Sequence, residues 1–209
     1  MEPERIAALS GELGASGATS AAVALLDFVN LQWMALILLQ PALLPQMISV
    51  YSIVTEKESK SLEAVLAMPI STLDLLLGKT LAAVLPAIAL TWLCYLGSAA
   101  ASACVAPAGV ALHFFEPRFV LGFVVIVPLT AFLSGISGVI VSAHAKDVRG
   151  AQSRSGFVVL PLMAVALVPL LDSLALQTLT AGVLLVLGLW LTRTASRPFQ
   201  RGQILTRWR

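Results

Sequence analysis

Five long apolar runs dominate the chain, at about Leu31–Val54, Thr80–Val105, Phe119–Ala143, Gly156–Leu171 and Leu174–Leu191. A helix that crosses the hydrocarbon core of a bilayer needs roughly 20 predominantly apolar residues. In lipid the backbone must satisfy its own hydrogen bonds, so runs of this kind fold as α-helices packed side by side. The composition agrees, with 58% hydrophobic and 11% charged residues, where a soluble domain carries roughly 25% charged residues. Too few polar side chains remain to cover a water-facing surface, and this excludes a soluble enzyme. The expected fold is all-α: a polytopic transmembrane bundle of about five spans within residues 21–192. A polar N-terminal tail, 1–20, precedes it and a basic tail, 193–209, follows.

The runs are not uniform. Gln40, Pro41, Pro45 and Gln46 sit inside the first. Prolines are tolerated in membrane helices because neighbouring helices and side chains re-satisfy the freed carbonyls. Gln40 and Gln46 are candidates for lining a pathway or for hydrogen-bonding between helices. The fourth run is short for a full span, and Pro161 and Pro169 predict a kink. Asp172 and Ser173 are the only clear polar break before the fifth. The last two runs therefore read as a tight hairpin, and four spans plus a re-entrant pair is the alternative to five.

Basic residues set the orientation. Lys57, Lys60 and Lys79 follow the first run, and Lys146, Arg149 and Arg154 follow the third. The tail holds Arg193, Arg197, Arg201, Arg207 and Arg209. Five spans place all of these on one side and leave only Arg5 and Arg118, of 13 Lys and Arg residues, on the other. The prediction is an external N-terminus and a cytoplasmic C-terminus in the cell membrane. The arginine tail is explained by topology and anionic headgroups rather than by nucleic acid.

The connector from Thr55 to Lys79 carries the most information. Thr55 followed by Glu58 fits a capping box at a helix start. Leu62, Val65 and Leu66 then recur at helical spacing, with Glu56, Lys60 and Glu63 mainly elsewhere around the helix. That pattern predicts a short amphipathic helix at the membrane surface. Pro69 ends it, and Ser71 with Asp74 forms a second capping box that opens the next membrane helix. A plain connector needs no apolar face, so the residues leave two readings open, a simple connector between spans or a surface on which something docks.

The run Glu56-Lys-Glu-Ser-Lys-Ser-Leu-Glu-Ala-Val-Leu-Ala-Met-Pro-Ile-Ser71, followed by Leu-Leu-Leu-Gly-Lys79, resembles the ABC-2 type transporter permease family. The family pattern is matched at Glu56, Lys57, Glu58, Leu62, Glu63, Leu66, Pro69, Ser71, Gly78 and Lys79. A weaker likeness runs from Val141 to Gln152, with Pro161 after it. The resemblance implies a permease subunit of an ABC exporter, itself no enzyme, paired with a second permease subunit as homo- or heterodimer. ATP hydrolysis would come from a separate ATP-binding subunit. By the resemblance, Glu56, Lys57, Glu58, Leu62, Glu63, Leu66, Pro69 and Ser71 form the coupling element that contacts that subunit. The charged residues would meet complementary charges, and Leu62 and Leu66 would anchor the helix. Family members usually have six spans, and the first has no counterpart here. The expectation is a shortened product or a span supplied by another chain. The alternative function is accordingly a truncated or non-transporting membrane scaffold or assembly subunit.

Other motifs lead nowhere. Gly78-Lys79-Thr80 ends like a phosphate-binding loop, but the required glycine five residues earlier is Leu73. His113 and His144 are the only histidines, and Cys94 and Cys104 the only cysteines. They make neither a metal-ligand set nor a disulfide framework. No cofactor is expected. Asp27 and Asp172 read as interfacial acids at the outer ends of apolar runs, and Trp190 as an interfacial anchor at an inner end. Ser134, Gly135, Ser137 and Gly138 form a small-residue patch, with Ser134-x-x-x-Gly138 permitting close helix approach.

Overall fold

In a computed structural model of the chain, the described residues are 3–59, 72–105, 113–144, 148–171 and 173–195. Helix α1 runs Pro3–Glu58, α2 Thr72–Val105, α3 Pro117–Leu121, α4 Val127–His144, α5 Val148–Ala166 and α6 Leu174–Ala195. Gly122–Ile126 is a turn of π-helix that joins α3 to α4, and short 3-10 turns occupy His113–Phe115 and Val168–Leu170. There is no strand among the described residues. Among the described residues five stretches are long and apolar enough to cross a membrane: Ala24–Glu56, Asp74–Cys104, Pro117–Ser142, Arg149–Leu170 and Leu174–Arg193. The architecture is thus an all-α bundle, as the five apolar runs require.

One sequence expectation needs correction, and two helices reach beyond their apolar runs. Thr55 does not start a helix: α1 passes through it to Glu58 without a break. The capping-box spacing is present, but an N-cap needs a preceding residue outside the helix, and here an unbroken apolar helix feeds in. Residues of the expected polar tail are helical from Pro3 onward and continuous with the first span. Helix α5 begins at Val148, ahead of the apolar run that starts near Gly156, and takes Gln152, Ser153 and Arg154 into its first turns. With those turns the stretch Arg149–Leu170 is long and apolar enough to cross a membrane. Pro161 lies within α5 and Pro169 in the 3-10 turn that ends the segment.

Helix α4 is the hub, packing against α1, α2, α5 and α6. Its small-residue patch explains why. A Cβ on Gly138 would lie 3.0 Å from the Gln46 carbonyl oxygen, and one on Gly135 would lie 2.9 Å from a Val84 methyl. Ser134, Ser137 and both glycines are buried. Without a hydrophobic force between helices in lipid, such close backbone approach is how helices gain contact. The prolines of α1 are met at the same place. The Ser134 hydroxyl donates to the Ala42 carbonyl, one residue past Pro41.

Two clusters bracket this centre. At one end Met34, Ile37, Leu38, Tyr95, Phe114, Phe119 and Phe123 pack together. Tyr95 stacks on Phe123 at 3.8 Å between ring centroids and donates its hydroxyl proton to the Phe114 carbonyl. At the other end Ile53, Leu76, Ile136 and Val139 meet. Successive spans are antiparallel. Ser102 donates to the Asn30 side chain at 3.1 Å near one end, while Glu56 and Lys79 pair near the other.

Candidate functional site

The residues singled out by sequence fall into two places. Glu56 lies in the last turn of α1, and Lys57 and Glu58 complete that turn. Leu62, Glu63, Leu66, Pro69 and Ser71 lie outside the described residues. The far side of the connector is α2, which opens at Thr72 with Asp74 in its first turn, where the sequence expects a helix start. Gly78, Lys79 and Thr80 are all helical, and the Thr80 hydroxyl donates to the Leu76 carbonyl at 2.8 Å. No phosphate-binding loop can form from a segment held in that way.

The Lys79 ammonium donates to the Glu56 carboxylate across the mouth of the connector. The two side chains are 14% and 30% exposed, so the pair is largely shielded by the bundle end. Lys79 is seven residues into α2, about 10 Å along its axis at 1.5 Å per residue. A lysine at that depth reaches back toward the polar end with its long side chain. Acids and bases within membrane segments pair with one another because an isolated charge there is costly.

The second place is the interior of the bundle. Gln46 is 2% exposed and donates from Nε2 to the Ser155 carbonyl of α5 at 2.7 Å. Its Oε1 atom has no hydrogen-bond partner, and neither does the buried Ser49 hydroxyl one turn further on. Gln40 is half-buried, with Nε2 3.9 Å from the Cys94 sulfur and Oε1 unpartnered. Gln46 therefore sits in a sealed helix-packing seam between α1, α4 and α5, and Gln40 in the contact of α1 with α2. The two glutamines are not brought together with Glu56 or with each other.

Sequence reasoning missed two polar side chains that bond to backbone carbonyls within the bundle. Gln177 is fully buried and holds the α5–α6 turn, with Nε2 3.5 Å from the Pro169 carbonyl and 3.4 Å from that of Leu171. Trp92 donates its indole N–H to the Phe123 carbonyl at 3.0 Å. A glutamine four residues past the polar break could have signalled the first; nothing local to Trp92 signals the second. Among the described residues no three His, Cys, Asp or Glu side chains converge as a metal site. The side chains of His113 and His144 lie outside the described set, as do those of Asp27 and Asp172. Cys94 and Cys104 are free thiols. No family model matches the chain, and no curated protein or solved structure does either.

Proposed function

We propose that this chain is the membrane-spanning permease subunit of an ABC-2 type exporter, docking an ATP-binding subunit through the connector between α1 and α2. The supporting observation is where the signature residues fall. Glu56, Lys57 and Glu58 end one membrane-crossing helix, Gly78 and Lys79 lie in the next, and an ion pair joins the two roots. A push on the connector is then delivered to α1 and α2 together. Both pack on α4, α1 through Gly138 and α2 through Gly135, so the movement reaches the centre of the bundle. Two such subunits, of the same or different sequence, enclose the pathway, with the C-terminus cytoplasmic and the cell membrane as the location.

The test is recovery of the tagged chain from detergent-solubilised membranes, followed by an ATPase assay on the proteins that accompany it. An ATP-binding subunit that is retained by the native chain and lost with Glu58→Lys or Leu66→Asp is the expected result. Unchanged membrane insertion in both variants belongs to the same expectation. Recovery of the chain alone would sink the permease reading in favour of a membrane scaffold.

A further inference from the structure

We infer that Glu56 acts as the internal counterion of Lys79, a positioning residue that locks the two roots of the connector, and that it is not a charge offered to the partner. The inference rests on the coupling reading above but divides the signature differently. Its first acid belongs to the fold rather than to the recognition surface.

Three observations carry it. The ammonium–carboxylate contact is direct, and both groups are mostly covered by the bundle end. The helical register is consistent: Ile53, one turn before Glu56, and Leu76, one turn before Lys79, are both buried in the same apolar cluster with Ile136 and Val139. That packing presents Glu56 and Lys79 along the same contact. Third, Lys79 lies within the membrane-crossing stretch Asp74–Cys104, while Glu56 is the last residue of Ala24–Glu56. The lysine needs a counterion where water is scarce, whereas an acid at a span end has water close by. The need for the pair is thus set by Lys79, and it exists whether or not a partner is bound. A carboxylate already engaged in this way would have to leave an ammonium uncompensated in order to meet a partner's cation.

The experiment measures folded yield and detergent melting of the tagged chain, alongside recovery of the ATP-binding subunit. It compares Glu56→Gln, Lys79→Met, the double variant Glu56→Gln/Lys79→Met, and the charge swap Glu56→Lys/Lys79→Glu. The expected result is a loss of melting temperature in Glu56→Gln that is recovered when Lys79→Met is added. Partner recovery should follow stability, so the neutral double variant retains the partner although it lacks Glu56. Equal losses in Glu56→Gln with and without Lys79→Met would overturn the inference. So would a neutral double variant that is stable but has lost the partner, since Glu56 would then be a contact residue. The charge swap adds a second measure of the pairing, because restored melting there requires the two charges to meet. The melting comparison needs no partner, so it remains decisive if the native chain recovers none and the permease reading itself fails.

Discussion

The Trp92 indole N–H donates to the Phe123 carbonyl at 3.0 Å, and Pro128 explains why that carbonyl is free. Phe123 lies in the π turn Gly122–Ile126, where the ladder runs to the fifth residue, as the Val127 N–H to Gly122 carbonyl bond illustrates. The fifth residue after Phe123 is Pro128, which has no N–H. A neighbouring helix supplies the missing donor, as membrane helices require. Trp92→Phe is expected to leave the carbonyl unpaired and to cost an amount within the range of hydrogen bonds between membrane helices, about 0.6–1.7 kcal/mol. In a Pro128→Ala background the local donor returns and most of that cost should vanish. Thermal unfolding of the four proteins in one detergent provides the cycle.

Gly122 is held by proximity rather than by its backbone angles, which are ordinary right-handed helix. A Cβ there would lie 2.6 Å from the Pro169 ring, which belongs to the turn that ends the fourth span. Gly122→Ala should destabilise by about 1–3 kcal/mol through overpacking. Gly97 has nothing within 4 Å of the corresponding position. Gly97→Ala should be neutral or stabilising by up to about 1 kcal/mol from helix propensity. Melting temperatures that fell equally for both would contradict the proposed crowding.

Two buried serines should behave oppositely. Ser134 donates to the Ala42 carbonyl, whereas the Ser49 hydroxyl has no partner. Hydrogen bonds between membrane helices average about 0.6 kcal/mol and reach about 1.7, so Ser134→Ala should cost an amount in that range. Ser49→Ala should change stability by less than about 0.5 kcal/mol or raise it. Denaturation in mixed micelles separates the two.

The proposed orientation places Cys104 near the external face, and its side chain is exposed on α2. A membrane-impermeant maleimide added to intact cells should label Cys104, and Cys104→Ser should abolish the signal. Cys94, ten residues deeper and beside Gln40, should stay unlabelled. A C-terminal tag should become accessible to protease only after the membrane is permeabilised. Labelling of Cys104 only in inverted vesicles would reverse the topology.

Span number, helical class and the opening of α2 near Asp74 were legible in sequence because each depends on local features: apolar length, a cap and a proline. The Ser134–Gly138 patch was legible for the same reason, as small residues at a four-residue interval make a flat helix face wherever they occur. Boundaries were less legible. Thr55 carries a cap pattern yet lies inside α1, and helix α5 extends back to Val148 through polar residues. A helix once formed continues at little cost per residue, so an isolated cap signal does not stop it.

Pairings across the bundle were decided only by tertiary structure. Gln46 meets the Ser155 carbonyl over a separation of 109 residues, and Lys79 meets Glu56 over 23. The sequence by itself determined that a buried glutamine and a lysine inside a span must each find a partner, because lipid offers none. Which atoms answer that demand depends on how antiparallel helices rotate and settle around α4. Helix rotation is set by the close approach at Gly135 and Gly138, a property of two surfaces together that neither segment carries alone.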